Sequence, residues 1–261
     1  MRKLVVNADD FGFTRDVNQG IVQAHGEGIL TATTLMATGA AFEDAVRLAR
    51  AHTSLDIGVH LVLVGEPGFP RTVPQLMQAV ALRRIRIHEE LLQQVRRILD
   101  AGLQPTHLDT HKHTHLLPPV LDAVARISDE FKIPWVRRPF DFRAAYEGVP
   151  WTKRAVGNAF GVVRSRFTRV LAKHGCRSTD HFAGFQVTGR YNAAQLARLI
   201  LALPEGVTEF MCHPGVCGEE LRAARTRLQE SRQRELDALT SPEVRAALGD
   251  AGVQLATYRD L

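Results

Sequence analysis

Residues 3–12 read KLVVNADDFG, an apolar run that breaks into two adjacent aspartates and a glycine. A continuous rather than alternating apolar run is typical of a parallel strand covered on both faces. We therefore predict a buried strand at Leu4–Val6 that ends at Asp9 and Asp10, with Asp16 capping the helix that follows. Two neighbouring carboxylates could be a turn or cap, or could share an active site in which each has its own role.

Outward from this start, the chain alternates predicted strands and helices, without a linker, an internal repeat or a low-complexity tract. The predicted strands cover residues 4–6, 31–37, 55–64, 105–110, 134–138, 178–187, 207–212 and 253–258. The predicted helices cover residues 17–28, 42–51, 88–101, 119–131, 153–174 and 193–203, and two arginine-rich helices follow residue 212. Residues 65–74 and 139–148 are predicted as irregular. The alternation predicts a single α/β domain over residues 1–261, and about eight strands favour a TIM-like barrel with long loops over an open sheet.

Composition limits the classes of function. The chain has 261 residues, 45% hydrophobic and 23% charged, with a net charge of +5 and a pI of about 9.4. The basic residues are scattered through predicted helices, which favours solvated helix faces over nucleic-acid or acidic-membrane binding. Three cysteines without CxxC spacing predict neither a disulfide scaffold nor a thiolate zinc site. No signal-peptide pattern or membrane-spanning run is seen, so we expect a cytoplasmic protein without stable membrane insertion.

Polar side chains stand at or near the ends of several predicted strands. His60 interrupts one apolar strand, and His213 directly follows another. The run THLDTHKHTH at residues 106–115 places His107, Asp109 and His111 on one face for as long as its strand lasts, and two further histidines continue the parity. Because the carboxyl ends of parallel strands form one rim, these groups are expected to converge with the aspartate pair.

Each of these residues has a structural alternative. His60 could be a hydrogen-bonded core histidine, His213 a turn residue, and Asp109 a cap or the acceptor that fixes an imidazole tautomer. Four histidines within nine residues are harder to explain structurally, since such tracts cluster in metal sites. Together the residues suit one aspartate and two histidines on a divalent metal with open coordination positions, which is a catalytic arrangement.

Five motifs carry a family resemblance. NADDFG, TATT, GVHL, HLDTHKHTH and MCHPG, in this order from residue 7 to residue 215, resemble the motifs of the YdjC-like carbohydrate deacetylase family. The resemblance implies a distorted (β/α) barrel that removes N-acetyl groups from amino sugars. It implies Asp10, His60 and His111 as metal ligands, Asp9 as the base, and His213 as the residue that assists the leaving group.

The resemblance leaves some assignments open. A family arginine near the site corresponds to Arg137 or Arg138, and we assign Arg137, with His113, to substrate binding. The metal could be Zn²⁺ or Mg²⁺. A metal-dependent phosphoesterase and a non-catalytic metal-dependent sugar-binding protein are the alternatives, although a binding protein has no use for a spare base and acid.

The substrate class is likewise open. A chitooligosaccharide, a glycolipid headgroup or another N-acetylhexosamine are all compatible with the motifs. Trp151, Phe160 and Phe167 in a long basic helix could favour a lipid substrate, or belong to an ordinary amphipathic helix or a homodimer contact.

Overall fold

A computed structural model of the chain describes residues 1–142 and 151–261. It contains eight strands, whose ladders are all parallel. The strands are β1 (Arg2–Phe11), β2 (Ala32–Leu35), β3 (Asp56–Leu61), β4 (His107–Thr110), β5 (Trp135–Val136), β6 (His181–Ala183), β7 (Gly206–Cys212) and β8 (Val253–Leu255). The prediction of about eight strands is confirmed.

Helices connect the strands and cover the sheet. They are α1 (Arg15–Glu27), α2 (Phe42–Ala51), α3 (Val73–Ala81), α4 (Ile87–Asp100), α5 (Pro118–Phe131), α6 (Trp151–Lys173), α7 (Ala193–Leu201), α8 (Glu219–Ala223), α9 (Glu230–Leu239) and α10 (Pro242–Asp250). Short 3₁₀ segments lie at His111–Leu116 and Tyr258–Asp260.

The sheet curls into a distorted barrel. Its strand order is β5-β4-β3-β2-β1-β7-β6, and β8 pairs with the amino-terminal half of β1. Isolated parallel bridges, Trp135 to Arg177 and Asp141 to Phe182, link the two ends of this order. The predicted α/β, TIM-like class is therefore confirmed, with short strands and irregular closure as its distortions.

β1 lies at the centre and pairs with β2, β7 and β8. It runs beyond the predicted Leu4–Val6, and all residues from Leu4 to Phe11 are buried. Its register with β2 shifts between Ala8 and Phe11, and Asp10 has a φ of 71°. Successive side chains of a regular strand point to opposite faces. This irregularity lets Asp9 and Asp10 reach the same carboxyl-terminal rim.

Three local predictions were wrong. Thr14, not Asp16, caps α1 by accepting from the Val17 amide at 3.2 Å. The Asp16 carboxylate instead accepts from the backbone of Leu221. Helix α3 starts inside the predicted irregular segment 65–74 and was not predicted. Three helices, not two, follow β7.

The aromatic residues of α6 do not form a described exposed patch. Phe167 is buried, and its ring packs against those of Phe140 and His115. The side chains of Trp151 and Phe160 lie outside the described residues, as does most of the predicted irregular segment 139–148. Among the described residues, no helix is long and apolar enough to cross a membrane.

Candidate active site

Three predicted ligands converge at the carboxyl ends of β1, β3 and β4. Asp10 Oδ1 lies 3.3 Å from His60 Nε2 and 3.2 Å from His111 Nδ1, and the two nitrogens are 3.2 Å apart. Two donors bound to one ion at about 2.1 Å, and separated by about 90–110°, are about 3.0–3.4 Å from each other. The observed triangle therefore fits a divalent cation.

The protonation of this triangle also suits a metal. Burial raises the pKa of Asp10, but Arg232 and the imidazoles of His111 and His60 outweigh it and hold that pKa well below its usual value. Asp10 is therefore an ionised carboxylate, as a metal ligand must be. The Arg232 side chain donates to Asp10 Oδ2, which leaves Oδ1 to face the two imidazoles.

Asp109 fixes the tautomer of His60. The His60 Nδ1–H donates to Asp109 Oδ1 at 2.6 Å, and the Thr34 hydroxyl donates to Asp109 Oδ2 at 3.1 Å. This bond leaves the Nε2 lone pair directed at Asp10. Burial lowers the pKa of His60, but the charge of Asp109 and the bonds to Asp10 and Asp109 raise it to about 10, so a proton and a metal compete for Nε2. Of the two alternatives for Asp109, the acceptor is the one observed.

Asp9 belongs to a buried ionic cluster around Arg137, which Asp109 links to His60. Arg137 donates from Nη2 and Nη1 to the two oxygens of Asp9, at 2.6 and 2.8 Å. The same guanidinium pairs with Asp109 at 2.7 Å and with Glu209 at 2.6 Å. Burial lowers the pKa of Arg137, but these carboxylates raise it well above its usual value.

This cluster argues against a second cation. Asp9, His60 and Asp109 also bring three potential ligand atoms together. However, the guanidinium of Arg137 already bonds both carboxylates, and its permanent positive charge disfavours a metal ion beside it. Within the described residues, the Asp10 set is the one that suits a metal.

His213 stands across from the base candidate. Its Nε2 lies 3.8 Å from Asp9 Oδ2, and its backbone N–H donates to Glu235 at 2.6 Å. Its Nδ1 is buried and has no hydrogen-bond partner among the described residues. Burial lowers the pKa of His213 to about 4, against the opposing charge of Asp9, so the ring is neutral near pH 7.

The remaining histidines of the tract lie in different surroundings. The strand ends at Thr110, and Lys112 and His113 adopt left-handed φ values of 54° and 53°, which breaks the alternation. His113 lines the cavity beside Phe185, with ring centroids 5.6 Å apart. His115 is instead a core residue, whose Nε2 bonds the carbonyl of Arg137 at 3.1 Å.

His107 also lies away from the metal set. It bonds the Asn7 amide oxygen at 3.0 Å and stacks on Tyr258. It is thus a core histidine at the amino-terminal end of β4.

The site opens into a cavity of about 530 Å³. Asp9, Asp10, His60, His111 and His213 all line it. The predicted substrate ligand Arg137 does not line it; its guanidinium is buried and paired with three carboxylates. Arg138 is directed elsewhere and donates to the Asp180 carbonyl.

Sequence reasoning missed several site residues. Arg232 and Glu235 are both buried on α9, within a run of charged residues that looks like an ordinary solvated helix. Glu209 interrupts the apolar strand β7, and a lone carboxylate in such a strand was the available signal for it.

Asp and His side chains converge at the carboxyl-terminal rim of this parallel sheet. The protein therefore falls in the class of (β/α) barrels whose active site lies at that rim. A sequence model of the YdjC-like protein family matches residues 3–250. The chain therefore belongs to the YdjC-like protein family, and the resemblance seen in its motifs is confirmed.

Relatives match along the whole chain. A carbohydrate deacetylase of Brevibacillus brevis is 34% identical over 99% of each chain. A carbohydrate deacetylase of Homo sapiens is 33% identical over 99% of this chain and 91% of its own. A chitooligosaccharide deacetylase of Klebsiella pneumoniae is 32% identical over 100% of this chain and 99% of its own. A crystal structure of a protein from Enterococcus faecalis V583 has a TM-score of 0.75 at 26% identity. The match covers 99% of this chain and 98% of that protein's chain.

Proposed function

We propose that this protein is a metal-dependent carbohydrate deacetylase that hydrolyses the N-acetyl group of an amino sugar. The observation that carries the proposal is a triangle of potential ligand atoms on Asp10, His60 and His111, beside a carboxylate and an imidazole that are not part of it. Relatives named carbohydrate deacetylase and chitooligosaccharide deacetylase support the reaction class.

An acetamide is a poor electrophile, and its nitrogen leaves only when protonated. Asp10, His60 and His111 would hold a divalent ion, which would supply polarisation of the carbonyl oxygen and activation of water, whose pKa falls toward ~7 in favourable zinc sites. Two nitrogen donors and one oxygen donor suit Zn²⁺, while Mg²⁺ also binds open sites. Arg232 keeps Asp10 oriented by holding its second oxygen.

Asp9 is the proposed base. Both of its oxygens are held by Arg137, which fixes the carboxylate plane. Oδ1 also accepts from Asn7 at 3.5 Å, so Oδ2 is the oxygen that keeps a further lone pair for a water proton. Because Arg137 contacts Asp9 and does not line the cavity, we assign it to positioning the base, in place of the predicted substrate contact.

His213 is the proposed acid. Because it is neutral near pH 7, the proton that it gives to the leaving nitrogen must first reach it. Asp9 lies 3.8 Å away, beyond direct hydrogen-bond reach, so a proton taken from water by Asp9 would pass to His213 through one water and then to the amine. His113, with its ring beside Phe185, is placed to contact the sugar.

A two-metal phosphoesterase is disfavoured by Arg137, which occupies the space between Asp9 and Asp109.

The experiment that tests the proposed function is acetate release from N-acetylated oligosaccharides and glycolipids, using metal-stripped protein to which Zn²⁺ or Mg²⁺ is restored. We expect acetate only with metal and with at least one N-acetylated sugar. Metal binding without acetate from any substrate of the panel would instead support a binding protein.

A further inference from the structure

Helix α3 exposes an apolar surface. It is built of apolar residues and glutamines, yet Leu76 is its one buried residue. Met77 is 52% exposed, and Leu82, directly after the helix, is 51% exposed. These are two of the four large apolar side chains that are exposed in the described ranges. A single exposed apolar residue is ordinary, but such a surface on one short helix indicates a partner.

Positive charge borders this surface at both ends. Residues 67–88 contain four arginines and no aspartate or glutamate. The four, all exposed, are Arg71, Arg83, Arg84 and Arg86. Arg86 pairs with Glu89 at 3.1 Å, while the other three form no ion pair with any residue that the structure describes. The charge that surrounds the apolar face is therefore largely uncompensated.

We propose that α3 and its four flanking arginines form a docking surface for an anionic lipid bilayer. An amphipathic helix can lie in the membrane interface, with Met77 and Leu82 toward the acyl chains and the arginines toward lipid phosphates. A second copy of this chain, docked through the same surface, would place its four arginines against these four. A nucleic acid would leave the apolar side chains without a partner, and residues 73–82 contain no aromatic ring for base stacking.

The surface adjoins the active-site cavity. Gly65 lines the cavity, and its N–H donates to the carbonyl of Pro70 at 2.8 Å, one residue before Arg71. Exposed Arg225 and Arg227 line the same cavity and add positive charge. Membrane docking through α3 thus keeps the cavity next to the lipid headgroups, which goes beyond the proposed reaction.

The test is co-sedimentation of the full chain with vesicles of phosphatidylglycerol and phosphatidylcholine, or of phosphatidylcholine alone. We expect binding to the anionic vesicles only, and weaker binding as salt rises. The double variant Arg71→Gln/Arg84→Gln should lower partitioning about 25-fold, at about fivefold per basic residue. Met77→Ser/Leu82→Ser should lower it about tenfold.

Matched controls carry the same changes elsewhere. Arg96→Gln/Arg126→Gln alters exposed arginines of α4 and α5, and Leu201→Ser alters the 49% exposed leucine of α7. These variants should bind vesicles like the wild type, with all thermal midpoints unchanged. Equal loss in the controls, no binding of the wild type, or α3-dependent binding to a duplex oligonucleotide or to a second copy in place of vesicles would each overturn the proposal.

Discussion

Arg137 donates one hydrogen bond to each carboxylate oxygen of Asp9, through Nη2 at 2.6 Å and Nη1 at 2.8 Å. A lysine at this position would keep one positive charge, but it lacks the planar fork that bonds both oxygens. If Arg137 positions the base, precise placement of Asp9 depends on this pair.

We expect Arg137→Lys to lower kcat about 10²-fold while metal content, measured by mass spectrometry, is unchanged. Arg137→Met should also lower the free energy of unfolding by about 3–5 kcal/mol, because it leaves buried carboxylates without their partner. Arg138→Lys is the control and should match the wild type. Loss of metal in Arg137→Lys would instead point to the second contact of Arg137, Asp109, which orients the proposed ligand His60.

The proposed metal site predicts an equal loss of metal in three variants. Asp10→Ala, His60→Ala and His111→Ala should each lower bound divalent metal sharply, since each removes one of three protein donors. Equilibrium dialysis with Zn²⁺ and Mg²⁺ measures this, with His181→Ala as a control histidine outside the site. Full occupancy in any one of the three variants would remove that residue from the metal site.

We expect the adjacent carboxylates of Asp9 and Asp10 to have different functions. Asp9→Asn should keep the metal and the fold but lose most turnover, because the amide cannot take a proton from water. Asp10→Asn should lose the metal as well. Metal content and acetate release, measured on both variants, decide the assignment. If the Asp9→Asn variant lost its metal and the Asp10→Asn variant kept it, the assignment of base and ligand would be reversed.

His213→Ala should discriminate between leaving groups. An amine must be protonated to leave, whereas an aryl acetate expels a stable phenolate unaided. We expect kcat/KM to fall about 10²–10⁴-fold on an N-acetyl sugar and far less on an aryl acetate. His60→Ala should lower both, since both reactions need the polarised carbonyl. Equal losses on both substrates in His213→Ala would make this residue a positioning group.

Acid should destabilise the fold partly through His107. Burial lowers its pKa from 6.5 to about 3, so between these values the unfolded chain takes up a proton that the folded chain does not. Stability is therefore lost as pH falls from about 6.5 toward 3.

We expect His107→Gln to reduce the slope of unfolding free energy against pH by about one proton, about 1.4 kcal/mol per pH unit, between pH ~6 and ~4. Urea unfolding measured across this range tests the expectation, and a parallel series at pH above ~7 gives the offset due to lost packing alone. An unchanged slope would show that His107 is protonated in both states.

The sequence alone determined the pattern of the barrel and the identity of the converging groups. Continuous apolar runs such as that before Asp9 specify buried parallel strands, and parallel strands place their ends on one rim. His60, His111 and His213 could therefore be assigned to that rim from local pattern alone.

Only the tertiary structure decided which partner each of these groups contacts. The bulge that turns Asp9 and Asp10 to the same rim depends on the register of β1 with β2, which no local pattern encodes. Arg137 was predicted as a substrate contact, and Arg232 lies in a run that looks like a solvated helix. Both are buried instead, because each is paired with a carboxylate far away along the chain. Local sequence records which side chains are charged, but only folding determines which opposite charge each one meets in the dry interior, where pairing is strong and an unpaired charge is costly.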